Sequence, residues 1–439
     1  MSPFLPLVRR AVGVIVAAAG LAAIPLPAAD WNAVREQTFS TVWQTIDESY
    51  FDPKFGGVSW TAIREKYRPQ IEHAADNPAL RTLLQSMLGE LGKSHFAIIP
   101  REAAANDRGG GGRPGTIGAE FTVIGNDVVV ARVRPGSSAL AAGLKPGDTV
   151  LRINDDDLAQ IARSLATSGL TPPRRAAYLA SFVSTRLRAP IGNKIPLFVA
   201  GPEATPRSLL VTTAAIGGTW SEAIGNFPSQ RLESTAERGS DGVAYLRFNV
   251  FMPELMKPIR ALLGKLRPGD GLVIDLRGNP GGLAPMAQAI CGWLIQNEFS
   301  LGKTVMRQGL VHFVASPQPG AFLGPVAVLT DHGSASTSEI LAAALQESKR
   351  ARIFGSTTAG AALPSVMKLL PTGDLLQFAV GDFVTQKSAR LEGRGVTPDE
   401  PVAVSPSDLA AGRDPVLEAA RRWLQTERRK SPAAPPRRP

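Results

Sequence analysis

Near the front of the chain, apolar positions recur with a helical period. In WNAVREQTFSTVWQTIDESYF, Val34, Phe39, Val42, Trp43 and Ile46 fall close to one face. PALRTLLQSMLGEL repeats the pattern, and the glycine run RGGGGRPG then breaks it as a loop or domain boundary. Between about 116 and 214 the chain reads as mostly β. DVVVARV and TVLRIND predict strands, with PGSSALAAGLKPGD between them as a turn and short helix. From about 240 the pattern alternates. VAYLRF, GLVIDLRG and PVAVLTD read as strands; PELMKPIRALLGKL, PMAQAICGWLIQ and SEILAAALQE read as helices. Such alternation predicts a parallel or mixed sheet with covering helices. The expectation is an α+β multidomain chain without internal repeats. Its parts are a leader (1–29), a helical domain (30–105), a β domain (116–214), an α/β domain (240–408) and a disordered basic, Pro-rich tail (426–439).

Composition narrows the function classes. The first residues pair Arg9 and Arg10 with the apolar run Ala11 to Leu26 and the small residues Pro27-Ala28-Ala29. That order predicts a secretory signal, hence a periplasmic or secreted protein with no stable membrane span after the signal is removed. The net charge is +10, but Arg9 and Arg10 supply +2, and seven basic residues against Glu427 from Arg421 onward supply +6. The middle of the chain is therefore near neutral, which argues against nucleic acid as a partner. One cysteine, Cys291, cannot form an internal disulfide. Only four histidines are present, leaving little for a metal site, and no cofactor is expected.

The chemistry-bearing stretch is Val328-Leu329-Thr330-Asp331-His332-Gly333-Ser334-Ala335-Ser336-Thr337-Ser338-Glu339-Ile340. A strand runs into a tight Gly/Ser turn and then a helix. This presents a side chain at the strand's carboxyl end and aims helix N-terminal amides at it, a setting for an attacking hydroxyl and a developing oxyanion. The residues alone leave Ser334, Ser336 and Ser338 open. A second Gly-rich turn follows the apolar strand in Gly271-Leu272-Val273-Ile274-Asp275-Leu276-Arg277-Gly278-Asn279-Pro280-Gly281-Gly282. It lacks the GK[ST] ending of a phosphate loop.

Three stretches carry a family resemblance. Gly118-Ala119-Glu120-Phe121 with Ala142-Gly143-Leu144-Lys145-Pro146-Gly147-Asp148 resembles the PDZ domains of bacterial proteases. The resemblance implies peptide binding by strand addition at Gly118, Ala119, Glu120 and Phe121. GSAS-x-SEI resembles the active-site turn of the carboxyl-terminal-processing (tail-specific) serine proteases. This implies a ClpP/crotonase-like α/β core, Ser336 as nucleophile, and Ser334 and Ser338 as turn and cap residues. The D-x-R-x-N-x-GG element implies an oxyanion amide at Gly281 or Gly282, with Thr337 as second donor, and Asp275 and Arg277 pairing to hold the turn.

One departure decides the mechanism. Where the bacterial processing proteases carry the lysine of a Ser-Lys dyad, this chain has Ala361, and Lys368 lies in a different register. A methyl cannot accept a proton. Leu91-Gly92-Lys93-Ser94-His95-Phe96 resembles instead the Ser-His pair of the tricorn branch, and Leu391-Glu392-Gly393-Arg394-Gly395-Val396 the segment that supplies its carboxylate. The implied tetrad is Ser94, His95, Ser336 and Glu392, with Asp399 as a rival carboxylate. His332, His312 and His73 are weaker candidates: His332 as a lining residue, His312 inside the apolar strand LVHFV, His73 on an amphipathic helix. The function expected is endoproteolysis of polypeptides near carboxyl termini or in unfolded segments. The alternative is a catalytically inactive peptide- or hydrophobic-ligand-binding protein of the same fold.

Overall fold

Alternate residues of the central strands face different cores. Leu272 and Ile274 pack on one side with Val326 and Val328, while Val273 packs on the other with Ala327 and Leu329. Strand side chains alternate faces, so a sheet with both faces covered needs apolar residues throughout, and GLVID and VAVLT have them. The computed structural model describes residues 30–101, 115–203, 205–215 and 217–430. The proposed leader, most of the glycine run and the last nine residues of the tail lie outside the described residues.

The central sheet has six strands. Ser234–Arg238 pairs antiparallel with Val243–Phe248; Gly271–Asp275, Val326–Thr330, Arg352–Gly355 and Glu400–Pro401 then follow in parallel. The helices Met256–Leu263, Ala284–Gly292 and Thr337–Glu347 cover one face. Helix Pro415–Lys430 covers the other through Val416, Ala420 and Leu424. That helix runs on through Lys430, past the start of the expected tail. The PELMKP segment begins as a 3₁₀ turn, Pro253–Leu255, before becoming α-helical. Cys291 is fully buried in its helix, and burial pushes its thiol well above the ordinary range, which fits a packing role. A hairpin, Phe299–Met306 and Leu310–Ala315, pairs with Gly381–Thr385. His312 lies exposed on its outer strand rather than within an apolar layer.

The front helices Trp31–Ser49, Trp60–Glu72 and Asn77–Gly89 start at Asp30, Ser59 and Asp76, whose side chains accept from the first-turn amides. Phe39, Val42, Ile46, Leu80 and Leu84 share their core with Leu363, Leu370, Leu376 and Phe378 from far along the chain. Strand Ala97–Ile99 pairs with Leu375–Ala379, and Arg81 forks onto buried Asp374 at 2.6 and 2.8 Å. The front segment is therefore fastened to the catalytic part, and its last turn delivers Ser94 and His95.

Residues 115–212 form a five-stranded antiparallel path ordered Ala119–Ile124, Asp127–Val133, Thr149–Ile153, Lys194–Ala200, Arg207–Thr212. The mostly β reading misses two helices here, Leu158–Ala166 and Pro172–Arg186. The second packs along the edge strand Ala119–Ile124, placing Leu179 and Val183 in the same core as Ile117, Val128 and Val150. Strand and helix together wall a groove. No helix of the described residues is long and apolar enough to cross a membrane.

Candidate active site

Two turns meet at the carboxyl ends of neighbouring parallel strands, Gly271–Asp275 and Val326–Thr330, where open α/β sheets leave a crevice. Arg277 forks onto buried Asp275 (2.7 and 2.9 Å) and onto Asp414 (both bonds 2.8 Å); the Tyr245 hydroxyl also donates to Asp275 (2.6 Å). These donors hold the Asp275 carboxyl far below the usual range despite burial. The Gly-rich turn is thus clamped at its root.

The three serines separate by environment. The Ser334 hydroxyl is fully buried and donates to Leu276 O (2.8 Å), and that of Ser338, equally buried, donates to Asn279 O (2.8 Å). Both fasten the serine turn to the Gly-rich turn. Ser336 between them is partly exposed and adopts φ 55°, ψ −117°, an uncommon conformation for a side-chain-bearing residue that strained functional turns use. Its N–H donates to Ala361 O (2.8 Å) and to Glu339 Oε2 (3.0 Å).

The glycines explain the close approach. A Cβ on Gly281, at φ +99°, would sit 2.8 Å from Ala335 O, Ser336 Cβ and Thr337 N. One on Gly282, at φ +138°, would strike the Phe251 backbone at 2.5 Å. Of the two candidate amides, that of Gly281 is already donated to Asn279 Oδ1 (2.9 Å). The Gly282 carbonyl accepts from the Thr337 hydroxyl (2.7 Å).

The imidazole arm comes from elsewhere. Ser94 donates its N–H to Glu392 Oε1 (2.8 Å) and its hydroxyl to Glu392 Oε2 (2.6 Å), while His95 Nδ1 lies 2.8 Å from Ser94 Oγ. A hydroxyl has one proton. With that proton donated toward Glu392, the His95 contact requires Nδ1–H to donate to Ser94 Oγ, which leaves the Nε2 lone pair as a proton acceptor. Glu392 also accepts from Arg174 (2.9 Å) and from Ala362 N–H (3.2 Å). His95 holds a left-handed backbone, φ 61°. Burial first, with Arg174 adding to it against the pull of Glu392, lowers its pKa to about 4, so the ring is neutral near pH 7. No hydrogen bond joins His95 to the Ser336 hydroxyl in this structure.

One peptide group connects the two arms. The carbonyl of Ala361 accepts from Ser336, and the N–H of the same peptide unit, on Ala362, donates to Glu392. With standard backbone dimensions Ser336 N and Glu392 Oε2 are within about 8 Å of each other. Glu339 was not singled out from the sequence. It is fully buried and accepts from Thr358 Oγ1 (2.6 Å), Gly360 N (2.8 Å), Ala361 N (2.9 Å) and Ser336 N. Burial outweighs these donors and pushes its carboxyl up to about 7. The signal available was its place three residues into the helix, which reads as an ordinary capping position.

Rival groups are occupied elsewhere. Asp399 accepts from Ile353 N (2.8 Å) and Gln346 (3.0 Å), and Lys368 donates to Thr45 of the front helices (2.9 Å). His73 contacts Pro69 O (2.7 Å) at the end of its helix. His332 is buried, and its Nε2 accepts from Val123 N–H (3.0 Å) on the edge strand of the 115–212 unit. Of the four residues expected to bind peptide there, Gly118 donates to Thr116 Oγ1 (3.2 Å) and has no room for a Cβ against Ser137. Ala119, Glu120 and Phe121 open the edge strand, and Glu120 is paired with Arg247 of the central sheet (2.9 Å). Among the described residues, no group of three or more His, Cys, Asp or Glu side chains is arranged to hold a metal ion.

Comparison with known proteins agrees with this layout. Residues 242–402 match the model of peptidase family S41, residues 30–89 the tricorn protease C1 domain and residues 108–179 the PDZ domain. The chain is 28% identical over 395 residues to a carboxyl-terminal-processing protease of Synechocystis sp., covering 86% of this chain and 84% of that one. It is 27% identical over 419 residues to tricorn protease homolog 1 of Streptomyces coelicolor, covering 90% of this chain and 35% of that longer one. In fold it is similar to a photosystem II D1 C-terminal processing protease, with TM-score 0.58 and 24% identity over 91% of this chain and 98% of that one. The chain is thus a serine-type peptidase built like the carboxyl-terminal-processing proteases it resembles, with an S41 peptidase domain, a PDZ domain and a tricorn-like front segment.

Proposed function

We propose that this chain is an exported serine endopeptidase that cleaves polypeptides near carboxyl termini or within unfolded segments, with Ser336 as nucleophile and His95 as base. The observation that carries the reading is the Ser94 hydroxyl seated between His95 Nδ1 and Glu392 Oε2 at 2.8 and 2.6 Å. It fixes the tautomer that a base needs. In the first step Ser336 Oγ bonds to the scissile carbonyl carbon while its proton passes to His95 Nε2. The C–N bond then breaks as the imidazolium returns that proton to the leaving amine. Water repeats the sequence on the acyl-enzyme. Gly282 N–H and Thr337 N–H serve as oxyanion donors, since Gly281 N–H is held by Asn279. Export rests on the basic and apolar order of the first 29 residues, and polypeptide substrates on the relatives named as processing proteases.

A second reading, a binding protein without turnover, draws on Ala361 in place of a lysine and on the missing hydrogen bond between His95 and Ser336. Serine-directed phosphonate labelling separates the two. The wild type is expected to label, S336A not at all, H95A far more slowly, and K368A like wild type. Label persisting in S336A removes the nucleophile assignment; label lost in K368A but kept in H95A transfers the base to the lysine.

A further inference from the structure

The carboxylate of Glu392 is 7% exposed and receives four donors. Three are neutral: the N–H and hydroxyl of Ser94 and the N–H of Ala362. The fourth, Arg174 Nη1 at 2.9 Å, is the cation in its ion pair and is itself only 16% exposed. Other titratable groups around this site are His95, Tyr50 and the carboxylates Asp52 and Asp382. Tyr50 is pushed up to about 12, by burial first and then by Asp52, Glu392 and Asp382. Asp382 is itself paired with Arg390 (2.6 Å) and Asp52 has Lys54 and Lys93 beside it, so Arg174 is the cation in direct contact with Glu392. A buried carboxylate without a matching cation moves toward its neutral form, and a neutral acid no longer draws on the Ser94 hydroxyl in the same way.

Arg174 does not belong to the catalytic core. It stands in the first turn of Pro172–Arg186, the helix that walls the groove of the PDZ unit. The other wall, strand Ala119–Ile124, is also tied to the core. Val123 N–H donates to His332, four residues before Ser336, and Glu120 pairs with Arg247. Both walls of the groove thus end on the two arms of the active site.

We propose that Arg174 is a positioning residue of the tetrad, a cation supplied by the PDZ unit that orients Glu392 toward Ser94, so that the imidazole arm is complete only while that unit is seated on the core. The inference rests on His95 being the base. It makes the docked position of the PDZ unit a condition of turnover rather than an accessory to binding.

The experiment uses the full chain with R174M, R174K and H95A, and measures kcat, KM and their pH dependence on a short fluorogenic peptide, with thermal melts as a check on folding. R174M is expected to lower kcat with little change in KM. Its acid limb should move to higher pH, because Arg174 is one of the groups that lowers His95 and losing it favours the protonated ring. Each unit the limb is displaced is about tenfold in kcat at a fixed pH below it. R174K, which keeps the charge, should recover most of the rate and restore the limb. Wild-type kcat and acid limb in R174M would overturn the proposal. So would a loss that is equal at every pH and not rescued by R174K, which reduces Arg174 to a packing contact. Activity in H95A would sink the underlying catalytic reading instead; an inactive H95A beside an unaltered R174M would sink this inference alone.

Discussion

Two buried glutamates serve the two arms of this site and are solved differently. Glu392, on the imidazole arm, is met by a guanidinium as well as by Ser94 and one amide. Glu339, under the serine turn, is met by three backbone N–H groups and a threonine hydroxyl, without an ion-pair partner. Burial raises Glu339 to about 7 because neutral donors do not match the solvation of a full charge. The difference teaches where rigidity and where charge are used. Glu339 sews the Thr358–Ala361 segment to the serine turn, whereas Glu392 is placed to hold a polarised Ser94–His95 pair.

The comparison breaks first at Glu392. E392Q is expected to keep the fold and lose about a thousandfold or more in kcat, as when the carboxylate behind a catalytic histidine is neutralised. E339A should instead appear as lost stability, about 3 kcal/mol or more by denaturant melts, because three amides and the Thr358 hydroxyl lose their acceptor. If E339A melts like wild type, the sewing role is wrong. G281A tests the contact between the two turns. The added methyl meets Ser336 Cβ and Thr337 N at 2.8 Å, and displacing Ser336, the proposed nucleophile, should cost about a hundredfold in kcat.

Smaller effects follow from titration. His95 is depressed from 6.5 to about 4, so the unfolded chain binds the extra proton between those values and stability rises with pH across that window. Glu339 is raised from 4.5 to about 7, so the folded chain binds the extra proton there and stability falls with pH between those values. The two slopes oppose each other. E339Q should expose the rising slope and H95Q the falling one; equal pH profiles of stability in the two variants would contradict both assignments. Least affected should be K368A, with unaltered turnover and a stability loss of about 1 kcal/mol or less from the Thr45 hydrogen bond.

What could be read from the sequence was what side chains and periodicity encode. The alternation after residue 240 located three of the six central-sheet strands, Val243–Phe248, Gly271–Asp275 and Val326–Thr330, while Ser234–Arg238, Arg352–Gly355 and Glu400–Pro401 went unread; short-range motifs named Ser94, His95, Ser336 and Glu392, which the fold brings into one region. Three contributions stayed hidden for physical reasons. Arg174 sits on PPRRAAYLASFVSTR, whose two prolines and polar residues look like a loop unless one knows that Leu179 and Val183 face a core. Choosing between Gly281 and Gly282 depended on where Asn279 turns its side chain. Finally, the tie from Ser336 through Ala361 and Ala362 to Glu392 is made of main chain, and main-chain hydrogen bonds leave no letter in a sequence.

That tie has a consequence for how such sites change. Since the amide between positions 361 and 362 is the shared fulcrum of both limbs, whatever hangs from position 361 can be exchanged without severing it. A lysine there, or a methyl with the proton acceptor imported from the front of the chain, is compatible with the same scaffold. Proline at 362 is the change it would not tolerate, because an imide nitrogen has no hydrogen to give Glu392.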